Sequence, residues 1–251
     1  AGVPLIVDNT LATPFLSQPL EWGADLVIHS TTKYLSGQGN AIGGVVIDSG
    51  KFPWLGNKKY PSLSAPSEEY NGLIFAETFG DLAYTMYSHA ISLRDLGCTQ
   101  SPMNAWITLN GVETLPLRME RHCSNGIAVA GFLEKHQNVE WVSHAGLKSS
   151  PYYKLGKKYF PNGTGSLFAF GVKGGYESGL KLLESVELFS HVANLGDTRS
   201  LILHPASTTH RQLTEEQRIA SGAGPEVVRL SVGIECAEDL ISDLDQALNK
   251  L

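Results

Sequence analysis

The chain has 251 residues, of which 42% are hydrophobic and 18% charged, and a formal net charge of −6. That balance describes a globular protein with a full core and excludes a binder of nucleic acid or anionic membrane, which needs a basic surface. No apolar run approaches the roughly 20 residues of a membrane span, no signal peptide is visible, and Cys98, Cys123 and Cys236 have neither CxxC nor zinc-knuckle spacing, the pattern of reduced thiols in a cytoplasmic protein.

The chain opens Ala1-Gly2-Val3-Pro4, without an initiator methionine, and enters an apolar run almost at once. The expectation is one part of a longer polypeptide whose upstream portion is required for work. Leu5-Ile6-Val7 ends in Asp8, and Leu26-Val27-Ile28 ends in His29-Ser30-Thr31-Thr32-Lys33. Both runs are continuous, not alternating, as in parallel strands buried on both faces. Gly43 to Ile47 reads as a third strand, taken as parallel to the first two.

The loop after the second strand carries two hydroxyls, Ser30 and Thr32, and then an amine, Lys33. Loops at the carboxyl ends of parallel strands are where open α/β sheets place their chemistry. Hydroxyls two residues apart converge on one anion, and a lysine amine condenses with a carbonyl. Pyridoxal phosphate needs both a phosphate cradle and an amine. Asp8, at the end of a neighbouring strand, can pair with a protonated pyridine nitrogen; the plainer role for such an acid is a turn or helix cap.

Further along, Lys51 to Tyr70 is rich in Pro, Gly, Ser and Lys and reads as a long surface excursion. Ser101-Pro102 starts a helix, with Ser as N-cap and Pro first. On it Met103, Trp106 and Leu109 read as core. Leu115 to His136 is a long helix with Arg118, Glu120, Arg121 and Glu134 on its wet side. Val139 to Val142, Leu167 to Val172, Ser200 to His204 and Val227 to Val232 are strand-like. Leu240, Ile241, Leu244, Leu248 and Leu251 share one face of a final helix. The division expected is residues 1–110 and 111–251, the second a smaller α+β unit with a mainly antiparallel sheet.

Arg229 sits inside an apolar strand, where a lone charge is costly. A guanidinium forks onto a carboxylate, so Arg229 either binds an α-carboxylate or forms a buried ion pair with Glu235 or Glu238. His204 and His210 suit no common zinc motif, and no third ligand is evident; no metal is expected. GxSxG, P-loop and GxGxxG patterns are absent.

Val7 to Pro14, His29 to Tyr34 and Arg229-Leu230-Ser231-Val232-Gly233-Ile234-Glu235 together resemble the Cys/Met-metabolism family of pyridoxal-phosphate enzymes. The resemblance runs from Gly2 to Leu251 and covers the later part of such an enzyme. It implies an α/β architecture: the C-terminal part of a fold-type I transferase, with the end of a mainly parallel large-domain sheet followed by a smaller α+β domain. Lys33 would hold the cofactor and move protons at Cα and Cβ. Asp8 would keep the pyridine nitrogen protonated. Ser30 and Thr32 would bind the phosphate, Arg229 the substrate carboxylate, and Ser200 would assist Arg229. The nearest branch replaces the acetate of O-acetylhomoserine with sulfide, giving homocysteine. The insertion Lys51 to Asn71 and the spacer Gln212 to Pro225 favour that branch over its rivals, a γ-lyase or a cystathionine synthase. A non-catalytic assembly partner is the rival of another class. The resemblance also implies a homo-oligomer, a tetramer, in the cytoplasm.

Overall fold

A computed structural model describes residues 1–251. Strands β1 (Ile6–Asp8), β2 (Leu26–Ser30) and β3 (Gly44–Asp48) form a three-stranded sheet in that order. β1 and β2 are parallel, with Asp8 opposite Ile28, but β3 is antiparallel to β2, with Gly44 opposite Ser30. The expectation of three parallel strands is corrected. The connection from residue 31 to 43 holds one helical turn and no crossover helix, so the chain re-enters at the end it left. On this sheet the apolar Ile28 and its partner Val46 are exposed.

The stretch from 51 onward is not a bare loop. Short helical pieces wrap Trp54, Leu63, Phe75, Ala76 and Ala83 into a cluster of their own, and the rings of Trp54 and Tyr84 stack at 5.7 Å. An excursion that buries its own aromatics is ordered by that packing together with its internal hydrogen bonds, such as Ser64 Oγ donating to Asn57 O at 2.9 Å.

Helix α1 (Pro102–Glu113) begins as its sequence dictates, Ser101 Oγ accepting from Asn104 N at 3.1 Å with Pro102 in the first turn. Met103, Trp106 and Leu109, expected in the core, are instead 62%, 62% and 65% exposed. Helical spacing marks a shared face but not what covers it, and α1 lays Thr108 and Gly111 inward instead. The expected boundary between residues 110 and 111 falls inside α1, so a helix and not a linker carries the chain onward.

Helix α2 (Leu115–Leu133) joins the two halves. Leu115 and Met119 pack on Tyr34 and Leu35, whereas Val129, Ala130 and Leu133 pack into the C-terminal core. Arg118, expected on the wet side, is only 9% exposed.

The second sheet contains β4 (Val139–Ser143), β5 (Leu167–Val172), β6 (Ser190–His191), β7 (Leu201–Leu203) and β8 (Val227–Ser231), in the order β4-β5-β8-β7-β6. Only β6 and β7 are parallel. Helices α3 (Gly175–Ser185) and α4 (Ala237–Leu248) pack on it with α2. Phe168, Phe170, Val228 and Leu230 from the strands meet Leu182, Leu240, Leu244 and Leu248 from the helices. Burying side chains of that size, at about 1.5–3 kcal/mol each, makes this the main source of cohesion.

Candidate active site

β2 delivers the chain into a tight helical turn, Thr31–Leu35. Inside it Lys33 leaves helical geometry, with φ −91° and ψ −132°. Its Nζ donates to Asn194 Oδ1, from a loop 161 residues away in sequence. Burial lowers the amine's pKa, and the Arg229 cation lowers it further.

Arg229 lies in the middle of β8, opposite Ala169 and Leu203. Its Nη2 donates to the backbone carbonyl of the same Asn194 at 3.2 Å. The ion pair with Glu235 or Glu238 does not exist, since no carboxylate lies within 4.0 Å of the guanidinium. Glu235 instead accepts from Ser200, and Glu238 accepts from Cys236. The half-buried cation thus spends one donor on the protein and keeps the rest.

Asp8 ends β1 on the same sheet face as Ser30, because its register partner Ile28 precedes Ser30 by two residues. Thr10, through its hydroxyl and then its backbone N–H, holds the Asp8 carboxyl below the usual carboxylate range, and His29 adds to this. No cation pairs with it. Thr10 also accepts from Ser30 N at 2.8 Å, which ties the two strand ends together. The two hydroxyls differ. Thr32 Oγ1 accepts from Gly43 N at 3.1 Å and donates to Gly43 O at 3.4 Å, pinning the loop. The Ser30 hydroxyl has no protein partner.

Ser200 is engaged within the fold. It is fully buried; its Oγ donates to Glu235 Oε2 at 2.9 Å and accepts from Gly233 N at 2.8 Å. A hydroxyl with its one proton spent and an acceptor position filled ties the loop before β7 to the turn after β8. The residue that sequence reasoning missed is Asn194, which holds Lys33 by its side chain and Arg229 by its carbonyl. The only local signal was Gly196. At φ 71° its missing Cβ lets the loop lie on Tyr34, where a Cβ would come within 2.8 Å of the backbone N.

Asp8 also borders a cleft of about 480 Å³ lined by Leu11, Leu16, Tyr34, Tyr159 and Leu167, whereas Lys33 and Arg229 lie outside it. No group of His, Cys, Asp and Glu residues is placed to hold a metal ion. What the site assembles is an amine of reduced basicity, a carboxylate without a cation, a free hydroxyl and a guanidinium without a counter-ion. Those groups fit a phosphorylated pyridine aldehyde and an amino acid with its α-carboxylate.

Over residues 1–249 the sequence matches the profile of a family described as Cys/Met metabolism PLP-dependent enzyme. It is 48% identical to an O-acetyl-L-homoserine sulfhydrylase of Leptospira meyeri, across 100% of this chain and 58% of that protein. It is 47% identical to a homocysteine synthase of Schizosaccharomyces pombe, across 99% of this chain and 58% of that protein. A Campylobacter jejuni protein described as an O-acetylhomoserine (thiol)-lyase, whose crystal structure carries N'-pyridoxyl-lysine-5'-monophosphate, superposes with a TM-score of 0.94 at 41% identity. That match covers 99% of this chain and 59% of the other. The chain therefore spans less than two thirds of the length of these relatives.

Proposed function

The chain belongs to the Cys/Met-metabolism family of pyridoxal-phosphate-dependent enzymes, and from that premise we propose that it is the lysine-bearing part of an O-acetylhomoserine sulfhydrylase. The reaction converts O-acetyl-L-homoserine and sulfide to L-homocysteine and acetate. The observation that carries the reading is the half-buried Arg229 guanidinium without a counter-ion, joined to Lys33 through one residue, Asn194. A cation for the α-carboxylate beside an amine for the cofactor is the pair an amino-acid enzyme of this family requires.

Lys33, Asp8, Ser30 and Thr32 would hold the cofactor, at its carbonyl, its ring nitrogen and its phosphate. When bound, pyridoxal phosphate draws electrons away from the substrate's Cα, so that protons there and at Cβ become removable. The Lys33 amine takes and returns those protons. An ordinary lysine, with a pKa of about 10.4, is nearly all protonated at neutral pH, and burial beside Arg229 moves Lys33 toward the free base. Asp8, kept ionised by Thr10, holds a proton on the ring nitrogen. Arg229 fixes the carboxylate, and with it the direction in which Cα and the γ-acetate lie. Ser30 brings an unspent hydroxyl to the phosphate, and Thr32 can share its own after loosening from Gly43.

No helix is long and apolar enough to cross a membrane. A cytoplasmic homotetramer is the assembly the family resemblance implies, and sedimentation measures it. The deciding assay offers O-acetylhomoserine with sulfide on one arm and cystathionine or methionine alone on the other. Homocysteine on the first arm supports the reading. Ammonia and a keto acid on the second make the protein a lyase. Borohydride reduction with peptide mapping should label Lys33; a label on Lys51 or Lys58 overturns the assignment.

A further inference from the structure

We propose that Arg118 is a positioning residue for Lys33: its buried guanidinium clamps the backbone turn from which the lysine is presented. The importance of Lys33 rests on the function proposed above, but the clamp is measured without it.

Arg118 lies in the first half of α2 and is 9% exposed. Nη1 donates to Tyr34 O at 2.7 Å, Nη2 to Gly111 O at 2.7 Å and Leu35 O at 3.3 Å, and Nε to Thr114 Oγ1 at 3.2 Å. No carboxylate lies within 4.0 Å. A buried cation without an anion is ordinarily costly. Here the compensation comes from carbonyls at two helix ends. Tyr34 and Leu35 close the turn that begins at Thr31, and Gly111 lies in the last turn of α1. Carbonyls in a closing turn carry the negative end of the local dipole, and Gly111 O, which already accepts from Thr114 N at 3.3 Å and Thr114 Oγ1 at 3.2 Å, has a second lone pair for Arg118. One guanidinium thus ties the Tyr34 and Leu35 carbonyls of the lysine turn to the Gly111 carbonyl of α1.

Two glycines show that the contact is built into the chain. Gly37 has φ 83°, and a Cβ there would lie 2.6 Å from Arg118 Nη1 and 2.8 Å from Cζ, so the guanidinium fills the room a side chain would need. On the other flank a Cβ on Gly111 would sit 2.6 Å from Ser36 O and 2.7 Å from Ser36 Cα, so α1 lies backbone to backbone on the residues after Lys33. The turn is therefore gripped between α1 and Arg118, with Lys33 in the one residue that departs from helical geometry.

The groups facing the Lys33 amine define what release would do. Arg229 faces it from β8 and Asn194 from the loop before β7. On that loop Asp197 is paired with Arg199 at 3.0 Å. At the sheet end Asp8 is held by Thr10, beside His29. No carboxylate is within 4.0 Å of the amine. A loosened turn therefore moves the amine out toward water and away from a cation, and no nearby anion offsets this. Its proton affinity must rise.

The test uses the full chain and competitive acetylation across pH, read by peptide mass mapping with exposed Lys51 and Lys58 as internal standards. Arg118→Gln should raise the Lys33 midpoint by roughly half a unit or more toward that of an ordinary lysine. Backbone hydrogen exchange over residues 31–39 should quicken about tenfold. Arg118→Lys, which keeps a cation and three donors, should recover part of both. Leu244→Ala, in the distant C-terminal core, should lower Tm and move neither. Arg118→Gln with an unchanged midpoint and unchanged exchange overturns the proposal, as does an equal midpoint shift in Leu244→Ala. If Arg118→Gln fails to fold, Thr114→Val removes one acceptor and should give a smaller shift of the same sign; no shift overturns the proposal. Failure of Lys33 to take a borohydride label counts against the proposed function and leaves the clamp result standing.

Discussion

Replacing Arg229 by Met separates a binding arginine from a structural one. The substitution keeps length and apolar stem and removes the charge. In the protein it removes one hydrogen bond, Nη2 to Asn194 O at 3.2 Å, a net loss of about 1 kcal/mol. Against that stands relief of a half-buried cation that has no anion. The two terms nearly offset, so stability should change by no more than about 1 kcal/mol, or roughly 4 °C in Tm for a chain of this size. A structural ion pair would behave differently, because loss of one partner strands a charge at a cost of about 3–5 kcal/mol. Substrate binding should collapse. A forked guanidinium–carboxylate contact supplies two charge-assisted bonds of about 1.5–3 kcal/mol each, and each 1.4 kcal/mol is tenfold, so affinity should fall about 10²- to 10⁴-fold. Arg229→Lys, which keeps the charge and loses the fork, should fall between. The assay titrates cofactor absorbance with O-acetyl-L-homoserine and follows thermal unfolding of the same sample. Wild-type affinity in the Met variant, or a Tm drop beyond about 10 °C, would show that Arg229 is structural and refute the reasoning.

Asp8→Asn keeps the shape and the bond from Thr10 N but loses the charge; turnover should drop by orders of magnitude with Tm retained, and near-wild-type kcat removes Asp8 from its role. Ser30→Ala removes a hydroxyl with no protein partner, so cofactor affinity should weaken without loss of stability. Thr32→Ala also breaks the Gly43 contacts and should lower stability as well, by about 1 kcal/mol; equal effects on stability contradict the assignment. Finally, His29, His122, His144 and His204 are buried, and burial is the leading cause of a lowered pKa in each. Groups whose folded pKa is depressed take up protons on unfolding, so stability is complete above about pH 6.5 and is lost as pH falls below it, at up to about 1.4 kcal/mol per unit for each group. The urea midpoint should decline from pH 7 to 5, before the carboxylates titrate; a flat midpoint would rule out that linkage.

Much of the candidate site could be proposed from the chain because its parts are local. Asp8 closes one apolar run and Ser30, Thr32 and Lys33 follow another, so strand register brings them to one sheet end without any further information. The N-cap at Ser101 and the apolar stripe Leu240, Leu244, Leu248 are local in the same sense, since caps and periodicity act over one to three turns. Three other features were decided only by the folded chain. Asn194 meets Lys33 across 161 positions. Arg118 looked like a solvent-facing charge until Tyr34 and Leu35, 84 and 83 residues away, supplied the carbonyls that hold it. Ser200 looked available until Glu235 and Gly233 filled its hydroxyl. Exposure on α1 belongs with these, because a periodic pattern shows which side chains share a face and is silent on what lies opposite. Local sequence determines dihedral preference and facing; the partner of a polar group is set by packing between segments distant in the chain, and that packing determines whether a charge is spent on the fold or left for a ligand.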